Sequence, residues 1–141
     1  MRLSEATRAR YTEEVTDQAK RILCIEDDTF LINLIIEKFT HANILATRAA
    51  TGGAGVSAAI SDIPDLILLD LMLPDMPGLD VLEMLKQSSV TAHIPVIIFS
   101  NLADKPVIED ALAHGALMYL VKSNTLPGEL VDIVTSELEL Y

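Results

Sequence analysis

PDLILLDLMLPDMPG, residues 64–78, places four consecutive apolar residues, Leu66 to Leu69, ahead of one aspartate, Asp70, and then resumes apolar. A short unbroken apolar run bounded by turn residues reads as a strand buried on both faces. A carboxylate at the end of such a strand is costly unless it neutralises or finds a counter-charge. Asp70 is therefore either a turn residue or a chemical group held out by a rigid scaffold. The remainder of the chain decides between the two.

The same pattern recurs on both sides of this stretch. ILCI (22–25) closes on Glu26-Asp27-Asp28, VIIF (96–99) on Ser100 and LMYLV (117–121) on Lys122, while ILATRAA (44–50) is a weaker strand candidate without a polar ending. Between the runs lie helical patterns at Phe30–Phe39, Gly53–Ile60, Leu79–Gln87, Asp104–His114 and Leu130–Leu140. Pro106 fits the first turn of the fourth helix and Gly115 stops it. Five strand–helix units with near-continuous apolar strands predict one doubly wound α/β domain with a parallel sheet covered on both faces. Residues 1–20 form an N-terminal extension, helical or flexible, because Leu3, Thr7, Tyr11 and Val15 make only a thin apolar stripe among charges. The domain proper is expected over 21–141.

Composition sets limits on function. The 141 residues are 50% apolar and 4% aromatic, enough for one packed core and too few for two. The formal net charge of −11 lies wholly in residues 21–141, where 6 bases face 17 acids. Such a body repels phosphate backbones, which argues against direct nucleic-acid binding. The single cysteine, Cys24, sits in an apolar run and reads as a small buried hydrophobe. The N-terminus lacks an apolar signal core and no run approaches about 20 apolar residues. A cytoplasmic location is expected, without membrane association.

In open α/β sheets the functional edge lies at the carboxyl ends of the strands. Four of the five strands here end at that edge in polar groups: Glu26-Asp27, Asp70, Ser100 and Lys122. Three adjacent carboxylates raise one another's pKa unless a cation joins them. Hard oxygen donors with room for water suit Mg²⁺ or a similar ion such as Mn²⁺. Lys122 adds a fixed positive charge and Ser100 a hydroxyl. A divalent cation, an ammonium and a hydroxyl around a carboxylate are what phosphoryl transfer to that carboxylate requires.

These residues carry a resemblance. Over residues 21 to about 140 the sequence resembles the receiver domain of two-component response regulators, through ILCIEDD, LILLDLMLPDMPG, VIIFSN and YLVK. The resemblance implies a flavodoxin-like fold with sheet order 2-1-3-4-5, a single-domain chemotaxis-type receiver in a phosphorelay. It implies that Asp70 accepts a phosphoryl group from a phosphohistidine of a sensor histidine kinase or a histidine phosphotransfer protein. Glu26 and Asp27 match the acidic pair that holds Mg²⁺ together with Asp70 and the backbone carbonyl of Met72. Ser100 matches the switch hydroxyl, Lys122 the site lysine and Tyr119 the switch aromatic. The fourth helix, fifth strand and fifth helix are the implied output surface, read by a downstream protein or a second copy. Beyond self-phosphorylation and dephosphorylation, no enzymatic activity is implied. Three departures stand out: Ser123 where the family usually has a cis proline, Asn101 where a small residue follows the switch hydroxyl, and the long N-terminal extension. A cis bond at serine costs about 2.5–4 kcal/mol, so a trans, reshaped loop is expected, and Asn101 is expected to crowd or hydrogen-bond the site.

Two other functions compete. A haloacid-dehalogenase-type phosphatase also uses an aspartate after an apolar strand, but needs a second aspartate two residues on, where this chain has Met72. A receiver-like adaptor that binds independently of phosphorylation would accommodate Asn101 and Ser123. Elsewhere the readings are structural: Asp28 as a helix N-cap, Asp65 and Asp75 as turn residues, Gly78 for turn geometry, TGGAG (51–55) as a turn, and scattered histidines. Val131 and Leu138 read as core, with a partly exposed interaction stripe as the alternative.

Overall fold

The computed structural model describes residues 19–140; the expected N-terminal extension falls almost entirely outside them. Five parallel strands, β1 (Arg21–Ile25), β2 (Leu45–Ala49), β3 (Leu66–Leu69), β4 (Val96–Ser100) and β5 (Met118–Val121), form one sheet in the order 2-1-3-4-5. The intervening helices are α1 (Thr29–His41), α2 (Gly52–Asp62), α3 (Gly78–Gln87), α4 (Lys105–Ala113) and α5 (Pro127–Glu139). A 3₁₀ turn at Lys122–Asn124 links β5 to α5. This is the doubly wound α/β architecture that the apolar runs predict, with the flavodoxin-like sheet order that the resemblance to receiver domains implies.

The two-residue period of a strand divides the core in two. Leu23, Ile25, Ile67, Leu69, Val96 and Ile98 point to one face, where α2, α3 and α4 pack through Ala59, Val81, Leu82, Leu85 and Ala111. Ile22, Cys24, Leu66, Leu68, Ile97 and Phe99 point to the other, against Ile32, Ile35 and Phe39 of α1 and Leu130, Val134 and Leu138 of α5. β2 sits at one edge with Leu45 and Thr47 exposed, which explains its weaker apolar signal. Cys24 is fully buried, and burial pushes its thiol up to about 12, so it is an inert core residue.

Local signals account for the helix ends and for two departures from expectation. Asp28 caps α1, its carboxylate accepting from Leu31 N at 3.1 Å. TGGAG is the start of α2 and not a turn: Thr51 caps it by accepting from Ala54 N at 3.1 Å. The glycines allow close approach, since a Cβ on Gly55 would collide with the Ile25 side chain of β1. α5 begins three residues earlier than its periodicity indicates, because Pro127 suits a first turn and Glu129 Oε1 accepts from Leu126 N at 3.2 Å. Val131 and Leu138 are buried, at 8% and 3% exposure, so the interaction stripe on α5 is excluded and both are core. No helix among the described residues is long and apolar enough to cross a membrane.

The burial of Leu138 has a measurable consequence. Leu138→Ala is expected to lower stability by about 2–5 kcal/mol, as for other buried leucines, seen as a lower urea midpoint with an unchanged m-value. A partly exposed leucine would shift stability by about 0.5 kcal/mol or less.

Candidate functional site

Strand parity decides which side chains meet at the carboxyl edge. Glu26 continues the alternation of Ile22 and Cys24, Asp70 that of Leu66 and Leu68, and Lys122 that of Met118 and Leu120, so all three emerge on the α1/α5 side. Register brings the first two together: Leu69 pairs with Ile25, and Asp70 N donates to Ile25 O at 3.0 Å. Lys122 then reaches across. Its Nζ lies 2.5 Å from Glu26 Oε1 and 2.8 Å from Asp70 Oδ2, and 5.9 Å from the centroid of the Phe99 ring.

Both carboxylates are only 5% exposed, yet every oxygen has a role. Glu26 Oε2 accepts from Asp28 N at 3.0 Å and Asp70 Oδ1 from Met72 N at 3.1 Å. Burial pushes the Glu26 carboxyl above its ordinary range, and the hydrogen bond from Lys122 offsets this only in part. Burial pulls Lys122 down, but its hydrogen bonds to Asp70 and Glu26 outweigh that and hold the ammonium above its usual value. Asp27 is exposed, and ligand oxygens of Glu26, Asp27 and Asp70 all lie within 4.8 Å of one another. An all-oxygen set, part buried and part open, has the donor chemistry of a hard divalent cation.

Ser100 and Tyr119 have the opposite parity and lie on the α2–α4 side. The fully buried Ser100 accepts on Oγ from Leu102 N at 3.3 Å, and the Tyr119 hydroxyl donates to Leu102 O at 2.6 Å. Both residues therefore hold the same residue of the β4–α4 loop. Burial, and then the charge of Asp70, raise the Tyr119 pKa. Asn101 is exposed and makes no hydrogen bond to these carboxylates. The turn after Lys122 contains no cis peptide, and the described residues hold none elsewhere.

The segment after Asp70 is stapled at several points. Gly78 N donates to Leu71 O at 2.9 Å, and Met72 pairs with Pro77 in an antiparallel bridge. Gly78 serves close packing more than turn geometry: a Cβ there would overlap Asp70 O and Leu71 Cα. Asp75 does more than turn the chain. Its carboxylate accepts from Gly52 N at 2.8 Å and Gly53 N at 2.9 Å, capping α2 from another loop, and these bonds hold its pKa low. Sequence reasoning missed this contact, and it missed Arg48, whose guanidinium lies over the acidic loop. The available signal for Arg48 was a charge one residue before the end of an otherwise uncharged strand.

Comparison with known proteins agrees with this fold. The model of the response regulator receiver domain family matches residues 22–135. The response regulator PleD of Caulobacter vibrioides is 34% identical over 102 residues, covering 72% of this chain and 22% of PleD. A CheY-like receiver domain protein from Methanospirillum hungatei superposes with a TM-score of 0.80 at 26% identity, over 86% of this chain and 95% of that one. The BeF3-activated N-terminal receiver domain of Klebsiella pneumoniae RstA gives 0.76 at 25% identity, over 84% and 98%. The chain spans less than half the length of the curated relatives it matches.

The burial of Glu26 predicts a pH signature. Its carboxyl titrates near 4.5 in the unfolded chain and higher in the folded one. Between those values the folded state binds more protons, so stability falls as pH rises through that window. In metal-free buffer, Glu26→Gln is expected to melt above the parent at pH 7. The gap should close below pH 4.5, where Glu26 is protonated in both states. A gap independent of pH would contradict the burial penalty.

Proposed function

Because this chain belongs to the response regulator receiver domain family, we propose that its acidic cluster is a phosphorylation switch with Asp70 as phosphoacceptor. Receiver domains are signalling domains, so the chain is read as a switch and not as an enzyme with a diffusible product; the match to this family displaces the dehalogenase reading. The observation that carries the proposal is the bridge of Lys122 between Glu26 and Asp70. It sets a buried carboxylate directly against a fixed cation at the sheet edge. A carboxylate oxygen of Asp70 attacks the phosphorus of a phosphohistidine. The new O–P bond forms as the N–P bond breaks, and the histidine ring nitrogen is the leaving group. Lys122 stays beside Asp70 and neutralises charge on the incoming phosphoryl oxygens. Glu26, Asp27, Asp70 and the Met72 carbonyl are the proposed ligands of Mg²⁺ or Mn²⁺, which supplies further positive charge when bound. Hydrolysis of the acyl phosphate by water, releasing inorganic phosphate, resets the switch.

The proposed readout runs through Leu102. When Ser100 Oγ turns to the phosphoryl group, Leu102 N loses its acceptor while Tyr119 still holds Leu102 O. The β4–α4 loop then shifts with the tyrosine, and α4, β5 and α5 change as an output surface. A bias of about 1–3 kcal/mol is the usual size of such coupling. The exposed apolar side chains of Phe30 in the first turn of α1, Met72 in the β3–α3 loop and Leu126 just before α5 suit docking of a histidine kinase or phosphotransfer protein. A downstream protein or a second copy is the proposed reader, in the cytoplasm. The charge of −11 disfavours direct binding of nucleic acid by this domain. The domain is taken to begin at residue 21, with 1–20 as an extension.

Beryllofluoride with Mg²⁺ tests both halves. It is expected to shift amide signals of α4, β5 and α5 in the parent and to leave Asp70→Asn unchanged. Acetyl phosphate should label the parent but not that variant. Ser100→Ala should accept the mimic at Asp70 while losing the remote shifts. Labelling that survives Asp70→Asn would remove the assignment, and shifts confined to the loops at Asp70 would favour the phosphorylation-independent adaptor.

A further inference from the structure

Of the three clustered carboxylates, two are held by Lys122. Asp27 is not: its carboxylate is exposed and has no hydrogen-bond or ion-pair partner among the described residues. Its position depends on its backbone, and that backbone is gripped by a side chain from the neighbouring strand. Arg48, in β2, donates from Nε to Glu26 O at 3.2 Å and from Nη2 to Asp27 O at 2.9 Å and Thr29 Oγ1 at 3.3 Å. One main-chain bond accompanies it, Glu26 N to Ala49 O at 3.0 Å. The guanidinium makes no ion pair with any carboxylate of the described residues. A planar fork spanning two successive carbonyls and the first hydroxyl of α1 is a geometry that a lysine ammonium cannot reproduce.

We infer that Arg48 is a positioning residue for the metal site, fixing the β1–α1 loop so that Asp27 is presented to a divalent cation beside Glu26 and Asp70. The inference rests on the reading of those three carboxylates as the Mg²⁺ ligands. Outer residues that orient ligands commonly change metal affinity by 10–100-fold when lost. Here the contact is to the ligand's backbone and the guanidinium's own charge opposes the cation, so the lower end applies.

The test uses the full chain and two substitutions, Arg48→Met, which removes fork and charge, and Arg48→Lys, which keeps the charge alone. Metal-free ¹⁵N relaxation reads the tether directly: the amides of residues 27–29 should become more mobile in both variants, while those of β3 and β4 stay unchanged. Titration with Mg²⁺, followed by amide shifts, should give a dissociation constant raised about tenfold in Arg48→Met and little recovered in Arg48→Lys. Loop mobility equal to the parent's would overturn the tether. Unchanged or tighter Mg²⁺ binding in Arg48→Met would show that charge repulsion outweighs positioning, and full recovery by lysine would remove the role of the fork. A parent chain that binds no Mg²⁺ overturns the inference through its premise, the metal-site reading, while the relaxation data separately judge the tether.

Discussion

The ammonium of Lys122 between Glu26 and Asp70 is the contact on which the site depends. Two carboxylates at 5% exposure, drawn together by adjacent strands, repel each other through a medium that screens charge weakly. Lys122 sets a cation between them while leaving the third carboxylate, Asp27, open. Replacing the pair and the lysine by hydrocarbon would make a more ordinary core. The chain retains them at the carboxyl edge of the sheet.

The fold supplies the rigidity this arrangement needs. β1 and β3 are neighbours because the sheet order places β2 outside β1, and their register sets Glu26 against Asp70. The loops that carry the remaining groups are held by specific contacts: Gly78 packs on the backbone of Asp70 and Leu71, Asp75 caps α2, and Arg48 spans the acidic loop. The proposed switch pair lies apart. Ser100 and Tyr119 share the opposite face of the sheet and converge on Leu102, so a change at the carboxylate edge can pass to α4 and β5 without unpacking the α1/α5 side.

Much of this was legible in the chain. Apolar runs with polar endings marked the strands, and the charge on Asp70 at the end of a buried run marked the site, because such a group needs a chemical reason to be there. Asp28 was recognisable as a cap from its position before an apolar period. Less legible were contacts between segments distant in sequence. Nothing local distinguishes Asp75 as the cap of a helix more than 20 residues earlier, or Arg48 as the tether of a loop on another strand. TGGAG looked like a turn because glycine disfavours helix in isolation; packing of α2 against Ile25 overrides that preference. Val131 and Leu138 were ambiguous because an amphipathic stripe does not state what covers it.

The sequence by itself determined the number and type of elements, the parallel character of the sheet and the polar groups that end its strands, since these follow from hydrophobic period and from the cost of burying charge. Only the tertiary structure decided which groups touch. Strand parity and register separate Glu26, Asp70 and Lys122 from Ser100 and Tyr119, and join Arg48 to the acidic loop. Such pairings arise from the crossing of strands far apart in the chain, where a distance of a few ångströms depends on the packing of every element between them.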